Sequence, residues 1–237
     1  MPATSLDIIL PCFNPPPGWA NNIINVYKEI SVKIPGVTIK LFIINDGSSK
    51  IDAMEIDKIN TITGGIKFIS YSLNKGKGYA LRKGVNESNA ELVIYTDIDF
   101  PYTTLSFIKI WDQLNDGKTD IAVGVKNDNY YKHVPFSRRV ISKILRSCTK
   151  FILKLKVSDT QCGLKGFNYK GKEVFLKTKI NRYLFDLEFI FLASKNNAMA
   201  LHPVEIELKE NIQFSSMRSG VLISEGINFI KIFFKSL

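Results

Sequence analysis

Short apolar runs alternate with helical-period segments from Asp7 to Val125, and this alternation constrains the fold most. Asp7–Leu10 is an apolar run ending at Pro11, read as a strand. Trp19 to Ile34 places Ile23, Val26, Tyr27, Ile30 and Ile34 at helical spacing. Val37–Asn45, Ile66–Tyr71, Leu92–Thr96 and Asp120–Val125 read as further strands. Helices are expected from the 74–78 segment to about Asn89 and over Thr103–Leu114. Such a βαβαβ order predicts a mostly parallel sheet with helices on both faces. In sheets of this kind ligands bind beyond the carboxyl ends of the strands. Asn45, Asp46, the segment Asn74 to Gly78, and Asp97 to Asp99 all fall at those ends.

The second half reads differently. Ser137–Lys156 carries Val140, Ile141, Ile144, Leu145, Cys148, Ile152 and Leu155 on one stripe, with Arg138, Arg139, Lys143 and Arg146 among seven intervening bases. Asp159–Phe167 reads as a loop, Arg182–Asn196 as an apolar helix, Ala200–Leu208 as a strand, and Ser219–Phe234 as an amphipathic helix. The chain of 237 residues has 32 Lys plus Arg and 22 Asp plus Glu, a net charge of +10. Residues 1–120 hold 12 basic and 13 acidic side chains, leaving 20 and 9 for residues 121–237, so the surplus lies in the second half. That points to an anionic partner there and says nothing of fold.

Composition excludes several classes. With 45% hydrophobic and 23% charged residues the chain is an ordinary folded protein. Three distant cysteines offer neither a disulfide framework nor a CxxC pair. Two histidines leave little room for a His-based metal site or triad. No basic start followed by an apolar run and no apolar stretch of spanning length is visible, so a cytoplasmic protein without a membrane span is expected.

Several segments carry candidate chemistry. Asp97-Ile98-Asp99 follows a strand, where residues i and i+2 point the same way and both carboxylates can face one ligand. A hard divalent ion takes one or two carboxylates plus substrate phosphates. Asn74-Lys75-Gly76-Lys77-Gly78 precedes a helix, and glycines with a helix N-terminus suit an anion. A turn before a basic helix start is the alternative. The segment is neither GxGxxG nor a P-loop, so NAD and kinase-type ATP binding lose support. Asp46 either builds a turn or receives a base or ribose. Asp186 and Glu188 lie in a helix rich in Phe, Leu and Ile, at its exposed edge or in a site. Cys162 reads as a packed residue, and His133 and His202 as surface or satisfied histidines.

Together these segments resemble a glycosyltransferase of the GT-A fold, family 2, nearest the dolichyl- or polyprenyl-phosphate glucosyl- and mannosyltransferases. Pro11-Cys12-Phe13-Asn14 is similar to P-x-[YF]-N, and Asn45-Asp46-Gly47-Ser48 to D-D-G-S. The stretch from Asn74 to Gly84, with Ala80 and Arg82, is similar to N-x-G-K-G-x-A-x-R-x-G. Asp97-Ile98-Asp99 stands for DxD, Asp159 to Lys165 for D-T-Q-C-G-[FL]-K, and Phe185 to Glu188 for F-D-x-E. Asn45, Pro15-Pro16-Pro17 and Lys126 depart from the family pattern.

The resemblance implies a GT-A, Rossmann-like, mostly parallel sheet with C-terminal amphipathic helices. It implies a transferase domain over 1–218 and a terminal helix over 219–237. Residues 1–125 would mainly bind the nucleotide-sugar and 126–218 face the acceptor. The activity implied is inverting transfer of a hexose from a UDP- or GDP-sugar to a polyprenyl phosphate; a glycan hydroxyl is the alternative acceptor. Asp97, Asp99 and Asp186 would be catalytic, with Mg²⁺ or Mn²⁺ on Asp99 and Asp97. Donor contacts would come from Pro11, Phe13, Asn14, Asn45, Asp46, Lys77, Gly78, Arg82, Asp97, Ile98, Gln161 and Arg218. Arg138, Arg139, Lys143 and Arg146 would meet the acceptor and an anionic membrane, placing the protein peripherally at the inner face. Nucleic acid is disfavoured as a partner, because no RNP, KH or zinc-finger pattern appears.

Overall fold

The computed structural model describes residues 2–60, 65–126, 160, 162–209 and 229. Among these, seven strands form one sheet: β1 (Ser5–Cys12), β2 (Thr38–Asp46), β3 (Ile66–Tyr71), β4 (Leu92–Tyr95), β5 (Ile121–Lys126), β6 (Lys165–Phe167) and β7 (Leu201–Ile206). Their order is β3-β2-β1-β4-β6-β5-β7. Every pair is parallel except the two made by β6, which runs antiparallel to β4 and to β5. The register aligns Pro11 with Ile44 and Asn45 with Ser70, so the first three strands end side by side.

Six helices flank the sheet among the described residues: α1 (Trp19–Lys33), α2 (Ala53–Ile59), α3 (Lys77–Glu87), α4 (Thr104–Asn115), α5 (Tyr169–Leu176) and α6 (Phe185–Ser194). They cover both faces and create two cores. One joins Ile8, Leu10, Ile43 and Ile94 to Ile23, Ile30, Phe107 and Trp111 from α1 and α4. The other joins Ile9, Ile44, Val93 and Tyr95 to Leu81, Phe175, Phe185 and Phe189 from α3, α5 and α6. Neighbouring strand residues divide between the two cores, Ile8 from Ile9 and Ile43 from Ile44. A strand buried on both faces therefore reads as a continuous apolar run.

The expected βαβαβ order is present, with each strand and helix boundary within a few residues of its expected position. Three elements were not anticipated. The helix α2 is only seven residues long, capped by the Asp52 carboxylate accepting from the Met54 amide at 2.9 Å. The loop expected over Asp159–Phe167 contains β6, which sits between β4 and β5 inside the sheet. The helix α5 opens at Asn168, whose side chain accepts from the amides of Lys170 and Gly171. The basic segment Ser137–Lys156 lies outside the described residues, as does the final segment apart from Phe229. That residue packs against the second core. No helix among the described residues is long and apolar enough to cross a membrane.

Candidate active site

Asp97 and Asp99 do not sit on a strand. β4 ends at Tyr95, and the two carboxylates belong to a turn closed by the Phe100 amide donating to the Asp97 carbonyl at 3.0 Å. The turn places Phe100 at φ 45, a left-handed conformation that costs a non-glycine residue energy. Its ring is buried and tilts against Phe107, which anchors the turn. The i, i+2 strand argument for this pair therefore fails, although the turn still brings both charges to one place. Crowding by surrounding protein, and then the charge of Asp97, hold the Asp99 carboxyl above its usual range. A divalent cation relieves such a like-charge pair. Among the described residues no group of three or more His, Cys, Asp or Glu side chains forms a metal cage. The donor set is thus two hard oxygen ligands, which fits Mg²⁺ or Mn²⁺ completed by substrate phosphates.

Lys77, the first residue of α3, forms an ion pair with Asp97 Oδ1. Burial alone would lower its pKa, but Asp97 and Asp186 outweigh that and raise it, so the ammonium stays charged. The other Asp97 oxygen lies against Gly163, where an added Cβ would stand 2.7 Å away. Gly163 is fixed in turn by its amide donating to the Tyr102 hydroxyl at 3.0 Å.

The glycines of the 74–78 segment face the protein's own backbone. The Asp46 carboxylate accepts from the Lys75 amide at 2.7 Å, the Gly76 amide at 2.8 Å and Asn74 Nδ2 at 3.0 Å. The amides of Gly78 and Tyr79 donate to the Asn181 carbonyl at 2.8 and 3.3 Å. Three backbone donors of this segment, and that of Tyr79 beside it, are thus engaged within the chain. Gly76 takes φ 103 with no room for a Cβ beside the Asn181 carbonyl, and at Gly78 a Cβ would stand 2.5 Å from the Ile180 carbonyl. These donors form an internal seam between the segment, Asp46 and the Asn181 loop. Gly78→Ala is expected to lower stability by about 1–3 kcal/mol, as overpacking does, measured by chemical unfolding.

Arg82 is also drawn into the seam. Its guanidinium donates to the Ile180 carbonyl at 2.7 Å, to Thr178 Oγ1 at 3.2 Å and to Asn181 Oδ1. Glu188 grips the same loop from the other side, accepting from the Lys179 and Ile180 amides, both at 2.7 Å. The placement of Arg82 makes it a loop anchor, whereas a diphosphate contact had been expected. Asn45 acts on a turn: its Oδ1 accepts from the Ser48 amide at 3.0 Å and its Nδ2 donates to Ser70 Oγ at 2.9 Å. Asn14, at φ 46, ties the loop after β1 to the loop after β2 through Ser48 and Ser49. Beside it Phe13 is half exposed, while Pro11 is half-buried and Ile98 buried.

Asp186 and Glu188 are both buried, so the exposed-edge alternative for α6 is excluded. Asp186 Oδ1 accepts from the Tyr95 hydroxyl and from Lys165 Nζ, each at 2.5 Å. Lys165 is 0% exposed and also donates to the Cys162 carbonyl at 2.5 Å. Hydropathy gave no signal for this buried lysine. Only its place in the Asp159–Lys165 motif marked it.

The model of the glycosyl transferase family 2, Glycos_transf_2, matches residues 7–175, most of the chain. The chain belongs to glycosyl transferase family 2. A dolichyl-phosphate beta-glucosyltransferase of Dictyostelium discoideum is 26% identical over 231 residues, covering 89% of this chain and 70% of that protein. The human dolichyl-phosphate beta-glucosyltransferase is 22% identical over 81% of this chain and 64% of its own length. A UDP-N-acetylglucosamine–dolichyl-phosphate N-acetylglucosaminyltransferase of Methanococcus voltae is 26% identical over 71% and 67%. Among solved structures, glucosyl-3-phosphoglycerate synthase of Mycobacterium tuberculosis with Mn²⁺, UDP and phosphoglyceric acid superposes with a TM-score of 0.65. It is 14% identical, over 98% of this chain and 78% of that one. The same synthase was also crystallised with Mg²⁺ and UDP.

The protein is therefore a glycosyltransferase with the GT-A fold expected of it. In this transferase the structure brings Asp97, Asp99, Lys77 and Asp186 together, while Asn45 and Asp46 at the end of β2 and Gly78 and Arg82 in α3 hold the loops around them. Gln161, Arg218, Arg138, Arg139, Lys143 and Arg146 lie outside the described residues. Cys12, packed in the core, has its thiol pushed up to about 12 by burial, with Ser48 opposing, so no thiolate nucleophile arises there. Cys162 is fully buried, and His202 is satisfied by Thr119 at 2.7 Å.

Proposed function

We propose that the protein transfers a hexose from a UDP- or GDP-sugar to a polyprenyl or dolichyl phosphate at a membrane surface. The observation that carries this reading is the Asp97–Asp99 carboxylate pair beside Lys77 at the end of β4, in a chain whose relatives are named for dolichyl phosphate. Asp99, with Asp97, would hold Mg²⁺ or Mn²⁺, which when bound supplies Lewis-acid stabilisation to the nucleoside diphosphate leaving group. Lys77 contributes a second positive charge at the same place. Asn14, Asn45 and Asp46 shape the loops over which the nucleotide lies, and Phe13 offers an exposed apolar surface there. Gln161 and Arg218 remain candidates for the donor. Arg138, Arg139, Lys143 and Arg146 would attract the anionic headgroup and hold the protein peripherally at the inner face. No nucleic-acid partner is invoked.

The acceptor decides the proton chemistry. A phosphate is already an anion, whereas a sugar hydroxyl must give up a proton to a base. A panel of UDP- and GDP-sugars with Mn²⁺, run with and without polyprenyl phosphate, tests the reading. A lipid-linked sugar formed only in the presence of polyprenyl phosphate is the expected result. Transfer to a glycan hydroxyl in preference to the lipid would refute it. Lys77→Met is expected to lower turnover by about 100-fold, the size usual for one preorganised charge at a transition state. Steady-state kinetics at saturating donor and metal reads this directly.

A further inference from the structure

A fully buried lysine needs a reason. Burying an ion pair costs desolvation that an apolar pair of similar volume avoids. Lys165 is 0% exposed, yet it lies on a strand between β4 and β5 inside the sheet and is committed to Asp186 and the Cys162 carbonyl. Its partner is no remote structural acid. Asp186 accepts from Tyr95, two residues before Asp97, and its charge is felt by Lys77, which pairs with Asp97. The cluster thus alternates in sign: Lys165, Asp186, Lys77, Asp97, with Asp99 beyond. Lys77 and Lys165 balance Asp97 and Asp186, and Asp99 feels both Lys77 and Lys209.

We propose that Lys165 is the residue that sets the acceptor class: by cancelling the charge of Asp186 inside the site and occupying its Oδ1, it admits a phosphate acceptor and withholds a base from a hydroxyl acceptor. This rests on the phosphate-acceptor reading above and deepens it. In the transfer, an acceptor phosphate oxygen attacks the anomeric carbon. The bond from that carbon to the nucleotide diphosphate oxygen breaks, and the diphosphate leaves with the electron pair. No proton has to be removed. An uncompensated Asp186 would instead place a negative charge against the incoming phosphate. At the effective dielectric of a protein site, one unit charge roughly 10 Å from an anion changes binding by about tenfold or more. Lys165 acts through Asp186 and is a positioning residue in this sense.

The test compares wild type, Lys165→Met and Lys165→Met/Asp186→Asn with two acceptors, polyprenyl phosphate and the corresponding polyprenol. Thermal unfolding accompanies each variant. Lys165→Met is expected to raise the KM for polyprenyl phosphate by about tenfold or more. The KM for the donor should stay near wild type, and transfer to the polyprenol, which needs a base, should rise above the wild-type level. The double variant, which removes both buried charges, should bring the phosphate KM back toward wild type. A merely structural lysine would damage both acceptors alike, and that result overturns the proposal, as does an unchanged phosphate KM in folded Lys165→Met. If Lys165→Met does not fold, the double variant, which leaves no buried charge unpaired, decides together with Asp186→Asn, whose lone Lys165 ammonium is checked by the same thermal unfolding. Asp186→Asn should then lower the phosphate KM, and a rise overturns the idea. A wild type that makes no lipid-linked sugar sinks the acceptor reading itself, whereas indifferent Lys165 variants sink only this role.

Discussion

Replacing Asp99 by alanine should abolish useful turnover, by about 1,000-fold, while leaving the fold intact. Asp99 is exposed, and among the described residues its carboxylate accepts only from its own backbone amide, so its loss opens no cavity. Its carboxyl is held above the usual range by crowding and by Asp97. An acid with a raised folded-state pKa adds stability below its unfolded pKa and loses that as pH rises through the folded value. At neutral pH the ionised Asp99 therefore opposes folding in the absence of a cation. Asp99→Ala should thus keep or slightly raise the melting temperature of the metal-free protein at pH 7. It should also remove the stabilisation that Mn²⁺ confers on wild type by binding the native state. Thermal unfolding with and without Mn²⁺, beside donor turnover, separates this from a structural role. Wild-type turnover in Asp99→Ala would remove the metal assignment.

The parallel half of the fold was legible because its strands are buried on both faces and so appear as apolar runs. Ile8, Ile9 and Leu10 illustrate the pattern: each is fully buried, although they face two different cores. The carboxylates at Asp97 and Asp99 were legible from their position after such a run, even though a turn and not a strand presents them. What escaped reading depends on partners far away in the chain. β6 is three residues long, begins with a lysine and lies in a polar motif; only its neighbours β4 and β5 make it a strand. Gly76 and Gly78 resembled a ligand cradle because the Asn181 carbonyl they approach is about a hundred residues away in sequence. Arg82 resembled a phosphate ligand for the same reason. Local patterns record that a backbone must come close, but not what comes close to it.

Asp46 gives the sharpest contrast between a donor contact and an internal brace. If its carboxylate mainly received a base or ribose, Asp46→Ala would weaken donor binding and leave stability unchanged. The geometry argues otherwise. Asp46 is 3% exposed, and both of its oxygens are engaged by the Lys75 amide, the Gly76 amide and Asn74 Nδ2. Removing them strands backbone donors at a cost of about 1–3 kcal/mol each where they are buried. Gly76, held in its left-handed conformation at that seam, also loses a partner. Asp46→Ala is therefore expected to lose about 3–5 kcal/mol of unfolding free energy, and activity should fall because the seam sets where Lys77 emerges from the start of α3. Asp46→Asn refines the test. Its amide nitrogen would face an N–H donor whichever way it is turned, because both carboxylate oxygens accept a backbone amide. The near-isosteric change should thus destabilise substantially as well, despite its almost unchanged volume. Chemical unfolding of both variants, with donor affinity measured on the folded fraction, decides between the two roles. A stable Asp46→Asn with weakened donor binding would return Asp46 to the nucleotide.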